Sequence, residues 1–242
     1  MDNLSDHSTL HISRQFSTEL DALRNGLLAM GGQVERQVSD AVDALVQADS
    51  RLAYAVSEKD TRINFMELSI DDECTRILAR RHPAASDLRL VIACTKAATD
   101  LERIGDEASK IARFAIELSQ EGETARGYSE ISLLSNYVCQ MVRDSLNAFA
   151  RFDANMALDV AKENQPVDKE YKKTNKALLD YMKENPQYLG QLLNIVWALH
   201  SLERIGDHAR NIAEYVIYLV KGIDVRHQGL KKTKKDIFKN HV

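Results

Sequence analysis

The chain contains an internal repeat that limits what it can fold into. The phrase LERIGD occurs at residues 101–106 and again at 202–207, an offset of 101 residues. Aligning the two halves at this offset brings further identities into register: Leu88 with Leu189, Ala97 with Ala198, Ala108 with Ala209, Ile111 with Ile212 and Ala112 with Ala213. Identity at one fixed offset indicates an internal duplication. We therefore predict two copies of one structural unit within 242 residues.

Each unit is predicted to be helical. Glycine (10) and proline (3) are scarce, and both are residues that interrupt helices. Apolar residues recur at steps of three and four from Leu20 to Leu45 and again from Ala97 to Leu118, which is the period of a helix with one buried stripe. The pattern predicts an all-α protein of six long helices, arranged as two tandem three-helix bundles joined end to end.

Breaks in the apolar pattern set the predicted boundaries. They are a flexible N-terminus over 1–9, a first three-helix unit over 10–120, a linker over 121–127, a second three-helix unit over 128–222 and a lysine-rich tail over 223–242. Asp49 or Ser50 is expected to cap the second helix, and Ser86 to cap the third. Pro166 lies inside the fifth helix, where it is expected to kink or restart it.

Composition and motifs narrow the class of protein. A net charge of -4 gives no general attraction to nucleic acid. We find neither a signal-peptide pattern nor an apolar run that would span a membrane. The three cysteines lack CxxC spacing and are expected to be buried, reduced thiols. Trp197 stands among apolar neighbours and is expected in the core. We therefore expect a cytoplasmic, soluble protein.

The repeated phrase is locally unfavourable for a helix. Glu102 and Asp106 lie one turn apart on the same face, a like-charge pair that destabilises a helix by roughly 0.2–0.5 kcal/mol. Gly105 between them costs roughly 0.5–1 kcal/mol more. The second copy keeps all three features, whereas positions beside them have diverged. Retention of costly residues in both copies points to a function that compensates.

A cation site is one such function, because carboxylates one turn apart suit hard, oxygen-preferring metal ions. The pattern places these acids on the outside of each bundle. The candidate ligands are Glu102, Asp106, Glu203 and Asp207 on the third and sixth helices, and Asp60, Asn64, Asn164 and Asp168 on the second and fifth. An alternative stays open, in which the acids pair with lysine or arginine from another helix and the glycines serve only close packing.

The sequence offers no catalytic residues. There is no HExxH or CxxC spacing for zinc, no glycine-rich phosphate loop and no Ser-His-Asp pattern. Carboxylate-bridged di-iron bundles use Glu-x-x-His on paired helices, and here only the reversed His200-x-x-Glu203 occurs. A metal-dependent enzyme or metal-storage protein, using iron or manganese, is kept as the alternative function.

Several stretches together resemble the PhoU family, the accessory proteins of bacterial phosphate-specific transport. They are the duplicated LERIGD, MGGQVERQVSDAVDAL at 30–45, ASDLRLV at 85–91 and YLVKGIDVRH at 218–227. The resemblance extends from about residue 10 to residue 227.

The resemblance implies a fold and a function. Family members are two tandem three-helix bundles, often homodimers, and some bind metal clusters through E(D)xxxD motifs, which here are Glu102/Asp106 and Glu203/Asp207. It implies a negative regulator of the phosphate-starvation response and of phosphate uptake, not an enzyme. Its expected partners are the phosphate ABC transporter ATPase and a phosphate-sensing histidine kinase, with membrane association only through them. No organic cofactor is expected; Mg, Mn, Fe and Zn are the candidate metals.

The partner helices depart from the family pattern. Asp60 is followed one turn later by Asn64, and Asn164 by Asp168, so each acidic pair is incomplete. An amide oxygen coordinates a metal but adds no charge. The departure implies fewer or weaker metal sites than in the cluster-bearing relatives.

Overall fold

Six long helices make up the described part of the protein. In this computed structural model the backbone is described for residues 3–83, 85–121 and 128–226, and side chains are described there except at 3–13, 121, 128–130 and 164. The helices are α1 (Asn3–Val46), α2 (Ser50–Arg81), α3 (Ala85–Glu121), α4 (Tyr128–Arg151), α5 (Ala154–Glu184) and α6 (Leu189–Lys221), with a short 3₁₀ helix at Pro186–Tyr188. The described ranges contain no strand, which confirms the all-α prediction.

Side-chain caps begin α2 and α5. The Asp49 carboxylate accepts a hydrogen bond from the Leu52 amide at 3.0 Å. At the equivalent place in the second unit, the Asp153 carboxylate accepts from the amides of Asn155 and Met156 at 2.9 and 3.1 Å. An aspartate at this position satisfies amides that have no partner within the helix. The duplication thus extends to how its second and fifth helices start.

Ser86 was wrongly predicted as a cap; of the two outcomes expected at Pro166, the restart is excluded and the kink stays a prediction. Ser86 does not precede α3, because the helix already begins at Ala85 and Ser86 lies in its first turn. Pro166 does not restart α5, which continues through it. Pro166 is exposed, so water can reach the carbonyl that loses its amide partner there.

Consecutive helices of the first unit run antiparallel to each other. Arg81 near the end of α2 contacts Glu19 near the start of α1 at 2.6 Å. Ser109 of α3 donates to Asp60 of α2 at 2.9 Å, and Cys74 contacts Val91 further along the same pair of helices. Contacts of α5 and α4 with α6 build the second unit in the same way. The two three-helix bundles are confirmed.

The bundles lie side by side, so the end-to-end arrangement was wrong. α3 runs antiparallel along α6: Arg89 donates to the Leu219 carbonyl at 3.1 Å, and Glu107 lies 3.1 Å from Arg204. α1 likewise lies along α4, where a Cβ on Gly31 would come within 2.4 Å of the Leu146 side chain. The reason is that α6 is apolar on more than one side, and buries residues against its own unit and against α3. One continuous core spans both units.

Trp197 is not in the core, although the sequence placed it there. Its side chain is 54% exposed, and Leu193 and Leu189, one and two turns earlier on α6, are also exposed. Ala198 and Leu199 beside it are buried. The apolar residues of this segment therefore cover more of the helix surface than the fold buries. Trp197 lies on the part of that apolar surface that stays exposed.

The structure tests some of the remaining predictions and leaves others untested. Cys74 and Cys94 are buried and Cys139 is half-buried, and all three are free thiols. None of the helices within the described ranges is long and apolar enough to cross a membrane. α1 already begins at Asn3, and the flexibility of residues 1–9 stays a prediction. Residues 122–127 of the linker and 227–242 of the tail lie outside the described residues.

Candidate functional site

Each unit carries one groove in which acidic side chains from two helices meet. The first groove, between α2 and α3, is formed by Asp60, Asn64, Glu67, Glu102 and Asp106. The second groove, between α5 and α6, is formed by Asp168, Tyr171, His200, Glu203 and Asp207. The acids are half-buried between helices. The acids were expected on the outside of each bundle, and the structure places them at the surface between two flanking helices, where the Asp207 side chain is 47% exposed.

Negative charge accumulates in the first groove. Burial is the main cause that raises the pKa of Glu102, and the nearby carboxylates of Asp106, Glu67 and Asp60 raise it further. Burial and Asp60 raise the pKa of Asp106 in the same way. Within the described part of the chain neither Glu102 nor Asp106 forms an ion pair. The groove therefore holds carboxylates that would be stabilised by a cation.

A hydrogen-bonded chain from three helices orients Asp60. Gln37 of α1 donates to the Ser109 hydroxyl at 3.1 Å, and Ser109 donates to Asp60 Oδ1 at 2.9 Å. Asn64 Oδ1, one turn along α2, is buried without a hydrogen-bond donor in the described structure. Since a buried carbonyl oxygen without a donor is costly, a cation or water at the groove would satisfy it.

Gly105 allows the helices to approach closely at this point. A Cβ there would lie 3.2 Å from Gln37 Oε1 and 3.3 Å from Ile63 Cγ2. Both distances are tighter than an ordinary van der Waals contact. The glycine between the two acids thus has a packing function, which was one of the two functions proposed from the sequence.

The second groove is partly neutralised. Burial chiefly raises the pKa of Glu203, and Asp207 adds to the effect. His200 Nδ1 lies 3.3 Å from Glu203 Oε2 and 3.5 Å from the Tyr171 hydroxyl. Asp207 is 3.9 Å from Arg210. In the second groove Glu203 and Asp207 each contact a basic side chain of their own helix, whereas in the first groove Lys110 and Arg113 only partly offset the rise in the pKa of Asp106.

Asp168 lies where the sequence placed it, facing the sixth helix. Burial raises its pKa, and so does the charge of Asp207. The side chain of Asn164 lies outside the described residues. The adjacent basic residue Arg204 contacts Glu107 of the other unit at 3.1 Å and not Glu203. The ion-pair alternative required a lysine or arginine from another helix, and within the described residues it finds no support at Glu102 or Glu203; Glu203 instead contacts His200 of its own helix.

The grooves fit a hydrated hard cation better than a compact metal centre. The described residues contain no group of three or more His, Cys, Asp or Glu side chains placed to hold one metal ion. The donors in each groove are oxygens from carboxylates, with an amide oxygen on Asn64 in the first. Mg²⁺ keeps several waters and needs only one or two carboxylates. The eight ligand assignments stay predictions.

Sequence reasoning missed a buried polar cluster between the units. Asp100 of α3 accepts hydrogen bonds from Tyr215 at 2.7 Å and Asn211 at 3.2 Å, and its Oδ1 lies 2.6 Å from His208 Nδ1. Asp100 directly precedes the first LERIGD, and its counterpart in the second copy is Ser201. The difference between Asp100 and Ser201 was the signal in the sequence that could have revealed this cluster. A residue that contacts the other unit need not be the same residue in both copies of the repeat.

The fold and its grooves define a class of protein: a duplicated helical bundle with one crowded acidic groove in each half. The PhoU domain model matches the chain twice, over residues 27–115 and 131–216, and together these ranges cover most of the sequence. The chain belongs to the PhoU family.

Curated relatives and solved structures agree with this assignment. The phosphate-specific transport system accessory protein PhoU homolog of Pseudomonas aeruginosa is 59% identical over 235 residues, covering 97% of each chain. The PhoU accessory protein of Escherichia coli K12 is 44% identical over 220 residues, 90% of each chain.

The two structural matches extend over nearly the whole of the solved chains. The crystal structure of PhoU from Pseudomonas aeruginosa matches with a TM-score of 0.85 and 60% identity, covering 86% of this chain and 100% of that one. The phosphate transport system regulatory protein PhoU from Streptococcus pneumoniae matches with a TM-score of 0.81 and 30% identity, covering 87% and 99%. Both solved structures are of PhoU proteins, so the shared fold and the family assignment agree.

Proposed function

We propose that this protein is a negative regulator of phosphate uptake and of the phosphate-starvation response. The observation that carries the proposal is the 59% identity, over 97% of both chains, to an accessory protein of a phosphate-specific transport system. Similarity of this extent includes both units and both grooves, and not only a shared bundle. The protein acts as an adaptor without catalysing a reaction, in the cytoplasm.

The partners in this proposal are the ATPase of the phosphate ABC transporter and a phosphate-sensing histidine kinase. The adaptor reaches the membrane only through them, and it acts as a homodimer. Two similar units in one chain suit a protein that contacts two partners, because the duplication supplies two related but diverged faces. Lys96 on α3 and Trp197 on α6 occupy equivalent positions and show how far those faces differ.

The two grooves provide cation sites in this proposal. Glu102 and Asp106, with Asp60 and Asn64, bind the cation of the first groove. Glu203 and Asp207, with Asn164 and Asp168, bind that of the second. Burial, and then the neighbouring carboxylates, raise the pKa of Glu102 and Glu203; this supports the assignments, because a divalent cation stabilises the charged carboxylates and relieves their repulsion. A bound cation would turn each acidic face into a neutral or positive one for a partner.

The function is tested with a phosphate-starvation reporter in a deletion strain grown in excess phosphate. We expect deletion to switch the reporter on and the wild-type gene to silence it. A variant with Glu102, Asp106, Glu203 and Asp207 all changed to alanine should leave it on. The matched control changes four exposed acids outside the grooves, Glu117, Asp159, Asp180 and Glu184, and should silence the reporter like wild type.

Each result bears on a different part of the proposal. A reporter unaffected by deletion would exclude the regulatory role. If the four-alanine groove variant silences the reporter, the protein is still a regulator, but its mechanism does not use the grooves. Failure of both four-residue variants would mean that general acidity matters and the groove positions do not.

Cation binding is tested directly through the single tryptophan. The Trp197 ring lies 6.4 Å from the His200 ring, and His200 contacts Glu203 in the second groove. Titration with Mg²⁺ should change the emission of the wild type and leave that of a Glu203→Gln, Asp207→Asn variant unchanged. An equal response of both proteins would show that Glu203 and Asp207 are not cation ligands. A metal-dependent enzyme or storage protein, the alternative, has no specific structural observation in its favour.

A further inference from the structure

The two grooves differ at one position that faces the neighbouring helix. In the first unit this position of α3 is Ser109, whose hydroxyl donates to Asp60 of α2 at 2.9 Å. The same position of α6, 101 residues later, is Arg210. A hydroxyl that orients a carboxylate is thus replaced by a guanidinium, which carries a permanent charge. The difference adds one positive charge to the second groove.

Arg210 acts on acids of both helices that form the second groove. Its Nη1 lies 3.9 Å from Asp207 Oδ1, and its Nε lies 3.3 Å from Glu214 Oε1, one turn further along α6. On α5, burial and Asp207 raise the pKa of Asp168, whereas Lys172 and Arg210 lower it. The Arg210 side chain is 39% exposed, so it is partly withdrawn from the screening of water. The guanidinium therefore supplies positive charge within the groove itself.

The hydrogen-bonded chain of the first groove has no counterpart in the second. The capping residues Asp49 and Asp153 show that the first two helices of each unit correspond at an offset of 104 residues. At this offset the two other members of the chain are replaced: Gln37 by Met141, and Asp60 by Asn164. Methionine has no group that donates a hydrogen bond. The second groove thus lacks both the donor chain and the carboxylate that the chain orients.

The first groove has basic neighbours too, but they are directed elsewhere. Burial and Asp60 raise the pKa of Asp106, and Lys110 and Arg113 only partly offset this rise. Lys110 Nζ contacts Glu107 at 2.9 Å, and Arg113 is exposed. Among the described residues Asp106 forms no ion pair. A divalent cation would therefore meet less positive charge in the first groove than in the second.

We propose that Arg210 is a built-in cation of the second groove, and that the residue at this position, Ser109 or Arg210, sets how tightly each groove binds a divalent cation. The first groove is the tighter site. The second is weaker, because the guanidinium repels a divalent cation and competes with it for Asp207. The inference rests on the cation sites proposed above and adds that they are unequal.

Proteins with a single intact groove test the inequality. Glu203→Gln with Asp207→Asn leaves only the first groove, and Glu102→Gln with Asp106→Asn leaves only the second. Titration calorimetry with Mg²⁺ should give a dissociation constant at least about tenfold lower for the first-groove protein. Equal constants would overturn the inequality and leave the cation sites in place. If neither protein binds Mg²⁺, the cation sites are refuted, and the inequality with them.

Substitutions at Arg210 test whether its charge is the cause. In the second-groove protein, Arg210→Gln should lower the Mg²⁺ dissociation constant about tenfold, and Arg210→Lys, which keeps the charge, should lower it much less. Arg204→Gln is the matched control, because it makes the same charge change on α6 at a residue that contacts Glu107 of the other unit. Its effect should stay below about threefold, since distance and salt screen the charge. An equal effect of Arg210→Gln and Arg204→Gln would overturn the role of the position.

The reciprocal substitution transfers the charge to the first groove. In the first-groove protein, Ser109→Arg should raise the Mg²⁺ dissociation constant about tenfold. Ser109→Gln, which adds length without charge, should raise it less. Melting curves without Mg²⁺ show whether these variants fold like their parent, and the Arg210 variants test the same charge where no side chain is enlarged. Equal weakening by arginine and glutamine at 109 would show that bulk, and not charge, distinguishes the grooves.

Discussion

Asp100 and His208 join the two halves of the molecule through a 2.6 Å contact between a carboxylate oxygen and an imidazole nitrogen. Asp100 belongs to α3 and His208 to α6, and both are buried. The other oxygen of Asp100 accepts from the Tyr215 hydroxyl. A buried carboxylate with all these partners is stable only while the α3–α6 interface is formed, so the contact ties the units into one cooperative body.

Removing this carboxylate should strongly destabilise the protein. Asp100→Ala would leave His208, Tyr215 and Asn211 without their shared acceptor, and breaking a buried pair by deleting one partner costs about 3–5 kcal/mol. We expect the free energy of unfolding in urea to fall by that amount. Asp159→Ala, which breaks the exposed pair with Lys162, should change it by less than about 0.5 kcal/mol. Equal losses would mean that the buried cluster has no special role.

Substitutions at a closely packed glycine and at an open one should change the free energy of unfolding in opposite directions. At Gly105 a side chain would press on Gln37 and Ile63, so Gly105→Val should lower the free energy of unfolding by about 1–3 kcal/mol. At Gly26 a Cβ would meet no atom within 4 Å. Gly26→Ala should therefore raise the free energy of unfolding by about 0.5–1 kcal/mol through helix propensity. Chemical denaturation of both variants measures these changes in the free energy of unfolding. A Gly105→Val variant more stable than wild type would refute the packing argument.

Most of the fold could be predicted from the sequence, because duplication and helical period are local signals. The offset between the two LERIGD copies predicted two similar units, and the Asp49 cap is a nearest-neighbour effect. Ser86 was misjudged and one of the two outcomes expected at Pro166 is excluded, since a helix start and a tolerated proline depend on what surrounds them. The side-by-side arrangement was not predictable either, because no periodicity says which of two apolar faces meets the other unit.

The residues of the candidate site could be predicted from the sequence, but the side chains that surround them could not. Helical spacing placed Glu102 and Asp106 on one face, and the structure brings them against Asp60, as the ladder on α2 predicted. Some of the side chains around these acids lie outside the repeated hexapeptide. Glu203 has His200 three residues before it on the same helix, whereas Thr99 stands at that place before Glu102, although both acids belong to identical hexapeptides.

Neutralising one acid of the first groove should stabilise the protein at neutral pH. The folded-state pKa of Glu102 is raised above 4.5, so the folded chain holds this proton more tightly than the unfolded chain. Stability associated with the proton is present at low pH and is lost as the pH rises through the folded pKa. Glu102→Gln should thus raise the free energy of unfolding by roughly 0.2–0.5 kcal/mol at pH 7, by relief of repulsion from Asp106.

The difference should be largest at neutral pH and vanish as the pH falls below the ordinary carboxyl range. Urea denaturation of wild type and Glu102→Gln at pH 7 and near pH 3 measures it. Mg²⁺ should then raise the melting temperature of the wild type more than that of the variant, because a ligand that binds only the folded state stabilises it by mass action. A variant less stable than wild type at pH 7 without Mg²⁺ would show that Glu102 is not under electrostatic strain.

Truncating the single tryptophan should have little effect on stability. Trp197 is 54% exposed whereas Phe149 is fully buried, so only the phenylalanine leaves a cavity when it is removed. Phe149→Ala should lower the free energy of unfolding by about 3–5 kcal/mol, and Trp197→Ala by less than about 1 kcal/mol, since it loses only partial contacts. Urea denaturation followed by circular dichroism measures both without relying on the tryptophan signal. A loss at Trp197 as large as that at Phe149 would mean that the ring packs inside the molecule, as the sequence first indicated.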